Sequence, residues 1–239
     1  AEFMANLGDF TDDSTNEEWN WYDNSMRDIN MKTTLAPVAG NHDGLGVWDW
    51  FNNMFNLDTS ESVQVKDGVN YSFDYGNVHF AVLNTNDMYP MTEAQRNWIL
   101  NDLTNSDAHW KILILHRPPY SAGKNILKPD TMIMRKTIID IVDETGVDMV
   151  ISGHDHMYYR SLQVAGDEVC DTLYVTEKYN GQDVTFAVNP DGAVYTLPST
   201  AGGKTYSVQT TTSTILNAAD KCFSTDDMGG CFSNVVIDG

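Results

Sequence analysis

The sequence is poor in basic residues and contains no long apolar run. Only 14 lysines and arginines stand against 34 aspartates and glutamates, which gives a formal net charge of −20. A protein that binds nucleic acid needs a basic surface, so we expect no nucleic-acid partner. No stretch of about 18 apolar residues occurs, so we expect no membrane span. The hydrophobic content of 41% is that of an ordinary globular domain.

Cysteine is also scarce, and no pair has the Cys-x-x-Cys spacing of a structural zinc site. Of the three cysteines, Cys222 and Cys231 lie nine residues apart and can pair in a small loop that leaves Cys170 over. Three free thiols are the equal alternative. No signal peptide is visible. The few lysines and the many Asp, Asn and Thr residues fit a secreted or cell-surface bacterial protein, and we expect that location.

Against these absences stands one short run, Gly-His-Asp-His at residues 153–156. It follows an apolar segment, residues 147–152, that is typical of a buried strand. Glycine lets the backbone turn at the strand end, and His154 and His156 follow two residues apart. Residues with that spacing point to the same side of an extended segment. Neutral imidazoles are ligands suited to zinc, iron, manganese or nickel.

Three more clusters of the same kind lie upstream, each a short apolar segment followed by a polar side chain that can bind a metal. They are Asp9 after residues 3–7, Asn41, His42 and Asp43 after residues 35–39, and His116 after residues 112–115. Sites in open α/β sheets form outside the carboxyl ends of the strands. Four strands that each deliver a ligand to one edge therefore predict a single metal site.

The order and residue types of these four blocks resemble the calcineurin-like metallophosphoesterase family, and most closely its purple acid phosphatase branch. The resemblance runs from about Leu7 to about Arg160. It implies an α/β (α+β) four-layer sandwich, in which two mixed β-sheets pack face to face with helices outside. We expect one domain over residues 1–239, with residues 162–239 as a β-rich completion that carries an inserted hairpin. The family's first strand carries a metal-binding aspartate, and none precedes Asp9, so we expect that strand to be missing by N-terminal truncation.

The resemblance also assigns roles. The family binds two divalent metals, such as zinc, manganese, iron or nickel, about 3.5–4 Å apart. Asp9 would bridge them, His156 would bind one metal, and Asn41, His116 and His154 would complete the shell of the other. With the first-strand aspartate absent, a single bound metal is the alternative.

In that mechanism a metal-bound hydroxide attacks phosphorus, and His42 protonates the leaving oxygen as general acid. Asp43 would orient the His42 imidazole. Arg117 and Arg160 either bind phosphate or pair with surface carboxylates. The ferric-iron tyrosine of purple acid phosphatases is replaced by Asp12, so we expect a colourless metal-loaded protein.

These roles imply metal-dependent hydrolysis of phosphate esters, with small-molecule phosphomonoesters as substrates. A phosphodiesterase or nucleotide hydrolase is one alternative, since the metals act on the phosphoryl group whatever the leaving group. A non-catalytic or incomplete module of a larger surface protein is the other. The substrate and the oligomeric state stay open at this point.

The remaining patterns predict local structure. His79, which alternates within a strand, and His109, in an Asp-x-His that lies too late in the chain, are predicted not to bind metal. The aromatic residues of the first two helices are predicted to pack rather than to bind sugars. Periodicity, capping residues and turn signals predict helices and hairpins. The predicted helices are 17–30, 47–55, 92–103, 135–145 and 214–219, and the predicted hairpins pair 71–75 with 78–83 and 173–175 with 184–188.

Overall fold

The computed structural model of the chain describes residues 2–44, 49–57, 70–86, 90–209, 218–226 and 228–237. These residues form four helices and twelve strands. The helices are α1 (Asn16–Asn30), α2 (Asp49–Phe55), α3 (Glu93–Asn105) and α4 (Pro129–Thr145). The strands are β1 (Phe3–Asn6), β2 (Thr34–Pro37), β3 (Tyr71–Tyr75), β4 (Val78–Leu83), β5 (Trp110–Leu115), β6 (Met149–Ser152), β7 (Tyr158–Ala165), β8 (Glu168–Val169), β9 (Leu173–Tyr179), β10 (Gln182–Val188), β11 (Ala193–Pro198) and β12 (Ala219–Phe223).

Most strands belong to one mixed, eight-stranded sheet with the order β12-β7-β11-β6-β5-β4-β3, in which β8 also pairs with β7. The central strands β4, β5, β6 and β11 run parallel to one another, whereas β3, β7 and β12 are antiparallel to their neighbours. The parallel strands β4, β5 and β6 are rich in Val, Ile and Leu, as expected of strands that are covered on both faces. Their carboxyl ends therefore meet at one edge of the sheet.

A second, two-stranded sheet covers one face of the large sheet. Its strands β1 and β2 are parallel and are joined through α1. Phe3, Ala5 and Leu7 of this region pack with Val38 on the core face that carries Val78, Phe80, Val82, Ile112 and Ile114. Each such side chain contributes about 1.5–3 kcal/mol when it is fully buried. The expected face-to-face packing of two sheets is present.

Helices α3 and α4 cover the opposite face of the large sheet. Ile99 and Leu103 of α3 and Ile138 and Ile141 of α4 join the largest core cluster, together with Leu113 of β5. This arrangement is the mixed α/β architecture with outer helices that the resemblance implied. A third cluster is aromatic: the Phe10 ring lies between α1 and α2, 5.0 Å from Tyr22 and 4.8 Å from Phe55 between ring centroids. These aromatic residues pack, as predicted, and they hold the loop that carries Asp9.

Several predicted elements are confirmed, with corrected limits. The Thr92 capping box opens α3, and Gly146, at φ 65°, ends α4. However, α4 begins at Pro129 rather than at Arg135, because proline is well suited to a first helical turn. The hairpin β9–β10 is longer than predicted and turns at Asn180 and Gly181, both at positive φ.

Predictions for the C-terminal part have mixed outcomes. Most of the predicted helix 214–219 lies outside the described residues, and Ala219 itself begins strand β12. All three cysteines are unpaired, which corresponds to the alternative with free thiols. Within the described ranges, no helix combines the length and the apolar character needed to cross a bilayer.

Candidate metal centre

Four of the predicted ligands come together beyond the ends of β1, β2, β5 and β6. His116 Nε2 lies 3.3 Å from Asp9 Oδ2, 3.2 Å from Asn41 Oδ1 and 3.2 Å from His154 Nδ1. Asp9, His116 and His154 form a group whose ligand atoms all lie within 4.8 Å of one another. Residues from four separate parts of the chain therefore present four donor atoms to one point.

The hydrogen bonds of His116 decide which of its atoms faces this point. The side chain is fully buried, and Nδ1 donates a hydrogen bond of 2.6 Å to the Leu7 carbonyl. Metal-binding histidines typically donate their other N–H to a carbonyl or carboxylate in this way. Three atoms with lone pairs surround Nε2, and a single proton on Nε2 could form a hydrogen bond with only one of them. The donor set of one carboxylate, one amide oxygen and two imidazoles fits a divalent cation such as zinc.

The electrostatics of the cluster favour the protonation states that ligands need at Asp9 and His154, whereas at His116 burial is outweighed by the Asp9 charge and hydrogen bond, which raise the pKa of that ring. Burial alone would raise the pKa of Asp9, but the charge and hydrogen bond of His116 and the His42 amide outweigh it and hold that pKa well below its usual range. Burial, with the charges of His116 and Arg117 adding, lowers the pKa of His154 to about 2. Asp9 is therefore ionised and His154 is neutral at every pH near neutrality.

Backbone geometry at the site is unusual for two of the ligands. Asp9 and His154 have φ values of 58° and 68°, in the left-handed region that side chains other than glycine rarely adopt. Such residues cost about 1–3 kcal/mol each and cluster at functional sites. Gly40 allows the two loops to meet, because a Cβ there would lie 2.1 Å from the Asp9 nitrogen.

Asp43 has a different environment from the one predicted. Its fully buried carboxylate accepts hydrogen bonds from the backbone N–H groups of Gly40, Asp9 and Thr11, at 2.8, 2.9 and 3.1 Å. Burial, with the Asp9 charge adding, raises the pKa of Asp43 to about 6. The predicted contact with the His42 ring is not formed, because this carboxylate is engaged in joining the Asp9 loop to the loop after β2.

His42 lies at the rim of the cluster. Its backbone N–H donates to Asp9 Oδ1 at 3.0 Å, and its ring Nδ1 donates to the Asp12 carbonyl at 2.6 Å. The side chain is 39% exposed, and the Asp12 carboxylate is 3.6 Å from Nδ1. Asp12 rather than Asp43 therefore orients this imidazole. Both of its contacts are with Nδ1, and neither involves Nε2. The expectation of a colourless protein, which rests on Asp12, stays a prediction.

His156 stands apart from the four converging ligands, although its ring has the hydrogen bond of a metal ligand. Nδ1 donates to the Lys204 carbonyl at 2.6 Å, so the lone pair of the neutral ring is on Nε2, where it can bind a metal. The ring stacks on Tyr206, with centroids 4.6 Å apart and an interplanar angle of 3°. The Lys124 ammonium lies 4.4 Å and the Lys204 ammonium 5.8 Å from the centre of the Tyr206 ring. The assignment of His156 to a second metal stays a prediction.

The two arginines that were considered for phosphate binding both pair with carboxylates. Arg160 donates to Asp220 from Nε at 2.9 Å, on the neighbouring strand β12. Arg117 donates to Asp130 at 3.2 Å, although its charge is felt at His154. These ion pairs correspond to the alternative of carboxylate partners, and phosphate binding by Arg117 and Arg160 stays a prediction.

Sequence reasoning missed four residues that surround the site: Lys124, Asp155, Lys204 and Tyr206. Three of them lie in loops without any recognisable spacing. Asp155 had one available signal, since it is an acidic residue between two histidines at the end of a buried strand. His79 and His109 were predicted not to bind metal, and neither joins the cluster. His79 bonds to Asp74 and Asp102, and His109 packs on Trp110 at the surface.

Similarity to known proteins is consistent with this geometry. Purple acid phosphatase 23 of Arabidopsis thaliana is 27% identical over 186 residues, which cover 72% of this chain and 40% of that protein. Purple acid phosphatase 15 of the same plant is 25% identical over 167 residues, or 66% of this chain and 31% of that protein. The chain thus spans well under half the length of these curated relatives.

The fold also recurs in solved structures. The purple acid phosphatase PPD1 from yellow lupin seeds superimposes with a TM-score of 0.66 at 18% identity, over 82% of this chain and 36% of that one. GAP50, described as the anchor in the inner membrane complex of Plasmodium, gives a TM-score of 0.55 at 13% identity, over 92% of this chain and 67% of that one. The model of the family described as "Calcineurin-like phosphoesterase" matches residues 2–158. On the strength of that match the chain belongs to the calcineurin-like phosphoesterase family.

Proposed function

We propose that this chain hydrolyses phosphate esters with the help of divalent metal, and that phosphomonoesters are its substrates. The observation that carries the proposal is the convergence of Asp9, Asn41 and His154 on His116 Nε2, at 3.2–3.3 Å. A divalent metal bound by these side chains would polarise a phosphoryl oxygen and lower the pKa of a water molecule. Membership of the family and the purple acid phosphatase relatives support this reaction.

His42 is the general acid of the proposed reaction. With Nδ1–H engaged by the Asp12 carbonyl, the imidazolium form has its second proton on Nε2, the atom available to a substrate. Delivery of that proton to the leaving oxygen avoids the expulsion of an alkoxide. The Asp12 carboxylate lies 3.6 Å from the same Nδ1 atom. Asp43 contributes by fixing the Asp9 loop, not by proton transfer.

Lys124, Lys204 and Tyr206, which together we call the positive rim, lie beside His156 and would bind the negatively charged substrate. The side chains of Lys124 and Lys204 are exposed, and no salt bridge of either lysine is found among the described residues. In a chain with net charge −20, such a local excess of positive charge is needed to attract an anion. The positive rim adjoins the loop of His154 and His156 without being part of it.

The first test is turnover of an aryl phosphate by the purified chain loaded with zinc or manganese. We expect hydrolysis that is abolished in His42→Ala and retained in His109→Ala, a second exposed histidine that lies next to Trp110. A bis-aryl phosphate assayed in parallel separates monoesterase from diesterase activity. A folded, metal-loaded chain without turnover on either substrate would contradict the proposal.

The same experiment addresses the alternative of a non-catalytic module. GAP50, which has this fold, is described as an anchor. A protein of that kind would keep the scaffold and bind metal without turnover. The position of His42 beside Asp9, which metal binding alone does not require, favours the hydrolase.

A further inference from the structure

Asp155 lies between the two histidines of the loop after β6 and is not one of the four converging ligands. Its side chain is fully buried. Oδ2 accepts a hydrogen bond of 2.6 Å from Ser121 Oγ, and Oδ1 accepts one of 2.7 Å from Asn125 Nδ2. Both donors are themselves buried and belong to the loop between His116 and α4. The carboxylate therefore ties the histidine loop to the loop that follows the other ligand strand.

The donors are arranged for an acceptor at Asp155. The Ser121 oxygen accepts the backbone N–H of Gly123 at 2.8 Å, so its own proton is directed at Asp155. Gly123 itself makes close approach possible, because a Cβ there would lie 2.4 Å from Asp155 Oδ2. A carboxylate with an O–H donor on one oxygen and an N–H donor on the other is well satisfied even when buried.

The anchored residue is next to the strained ligand. His154 has a φ value of 68°. Backbone hydrogen bonds hold the residues on both sides of it: the Gly153 N–H donates to the His116 carbonyl, and the Asp155 N–H donates to the Gly153 carbonyl. A left-handed histidine persists only where its surroundings hold it. Asp155 supplies a rigid side-chain attachment one residue further along. His154 Nδ1 meets His116 Nε2 at 3.2 Å under that constraint.

We propose that Asp155 is a positioning residue of the metal centre, which holds His154 in its strained, ligand-competent conformation through Ser121 and Asn125. This inference rests on the metal site of the proposed function. Asp155 does not touch the ligand atoms itself. It links the loops that carry His116 and His154, so that the two imidazoles keep their separation when no metal is bound.

The test is zinc affinity, measured by calorimetry on the whole chain without any assay of turnover. We expect Asp155→Asn to weaken zinc binding by about 10- to 100-fold, the range typical for loss of an outer partner of a metal ligand. With cobalt in place of zinc, its visible absorption bands should also change shape, because the positions of the imidazoles change. Purely structural damage would not alter these bands in the molecules that remain folded.

Asp102→Asn is the matched control. Asp102 also accepts a serine hydroxyl, from Ser72 at 2.6 Å, and a side-chain nitrogen, from His79 at 2.9 Å, but it lies at the other end of the sheet. We expect its zinc affinity to stay unchanged, even if its melting temperature falls as far as that of Asp155→Asn. Equal losses of affinity in the two variants would overturn the positioning role.

If Asp155→Asn does not fold, Ser121→Ala removes one of the two bonds, and we expect a smaller loss of affinity, about three- to tenfold. Wild-type affinity in the folded variants would refute the inference. Normal zinc binding by the wild-type chain without hydrolysis would refute the hydrolase alone. A wild-type chain that binds no zinc would refute the metal site and the positioning role together.

Discussion

Two buried histidines on neighbouring strands differ in what their second ring nitrogen meets. His79, at the start of β4, donates to Asp74 from Nδ1 at 2.7 Å and to Asp102 from Nε2 at 2.9 Å. His116, just past the end of β5, donates to a backbone carbonyl from Nδ1 but points Nε2 at Asp9, Asn41 and His154. Both rings are buried and both lie beside carboxylates.

The difference separates a structural histidine from a candidate ligand. Both nitrogens of His79 have their own acceptor, so the protonated ring completes an ion-paired bridge between β4 and α3. His116 Nε2 faces three competing lone-pair atoms, of which one proton satisfies only one. Carboxylates nearby therefore do not indicate metal binding, whereas converging donor atoms do. Changing each histidine in turn tests this distinction.

The largest effect is expected from His116→Ala. Loss of a residue that supports a metal ligand typically weakens metal binding by up to about 100-fold. Loss of His116, a ligand at the centre of the cluster, should weaken zinc binding by more than this and should reduce turnover at least in proportion. His79→Ala should leave zinc affinity within about twofold of the wild type. Calorimetric titration of both variants measures this. Equal losses in the two would remove the distinction between the histidines.

Metal removal should reveal the same contrast through stability. Zinc that binds only the folded chain stabilises it by about 2.7 kcal/mol when free zinc is 100 times the dissociation constant. We expect a chelator to lower the free energy of unfolding by that amount in the wild type and in His79→Ala, and by almost nothing in His116→Ala. Urea denaturation with and without chelator measures it. A full zinc increment in His116→Ala would show that the metal binds elsewhere.

His79 should instead give a stability effect that depends on pH. Burial alone would lower the pKa of His79, but its bonds and charge pairs with Asp102 and Asp74 outweigh burial and raise it. A raised folded-state pKa stabilises the protein fully below the ordinary value of about 6.5, and this stabilisation is lost as pH rises through the folded-state pKa. Most of it comes from Asp102, because Asp74 is largely exposed.

The measurement is the difference in free energy of unfolding between the wild type and His79→Gln. We expect the wild-type advantage to be about 1–3 kcal/mol near pH 6 and to shrink above neutrality. His109→Gln, at an exposed position, is the control and should show no such slope. A wild-type advantage that grew with pH would mean that His79 is neutral in the folded chain.

The candidate ligands could be predicted because each follows an apolar strand. The carboxyl ends of parallel strands placed Asp9, Asn41, His116 and His154 close together, and the family resemblance assigned them as ligands. The same pattern argues against His79 and His109 as ligands, because His79 lies inside a strand and His109 precedes one. Local signals also sufficed for α3, where a capping box is contained within four residues.

What could not be predicted depends on contacts between distant loops. No spacing indicates that Asp43 binds the amides of the Asp9 loop, or that Asp12 rather than Asp43 meets the His42 ring. Arg160 was ambiguous because its partner Asp220 is 60 residues away. The partners of Asp155, Asn125 and Ser121, lie 30 and 34 positions earlier in the chain. Such pairings arise only when the sheet has brought the loops together.

The smallest effect is expected from Lys124→Gln, which leaves both histidines and the metal ligands untouched. Its ammonium lies over the Tyr206 ring, 4.4 Å from the centroid, so its charge acts on the substrate only at the rim. Loss of one exposed charge is worth about 0.2–1 kcal/mol, so KM for an aryl phosphate should rise about 1.5- to fivefold with kcat unchanged. Lys32→Gln, in the turn before β2, should leave KM unchanged. Because salt screens exposed charges, the effect should fade at high ionic strength. A fall in kcat at constant KM would instead connect Lys124 with the chemical step.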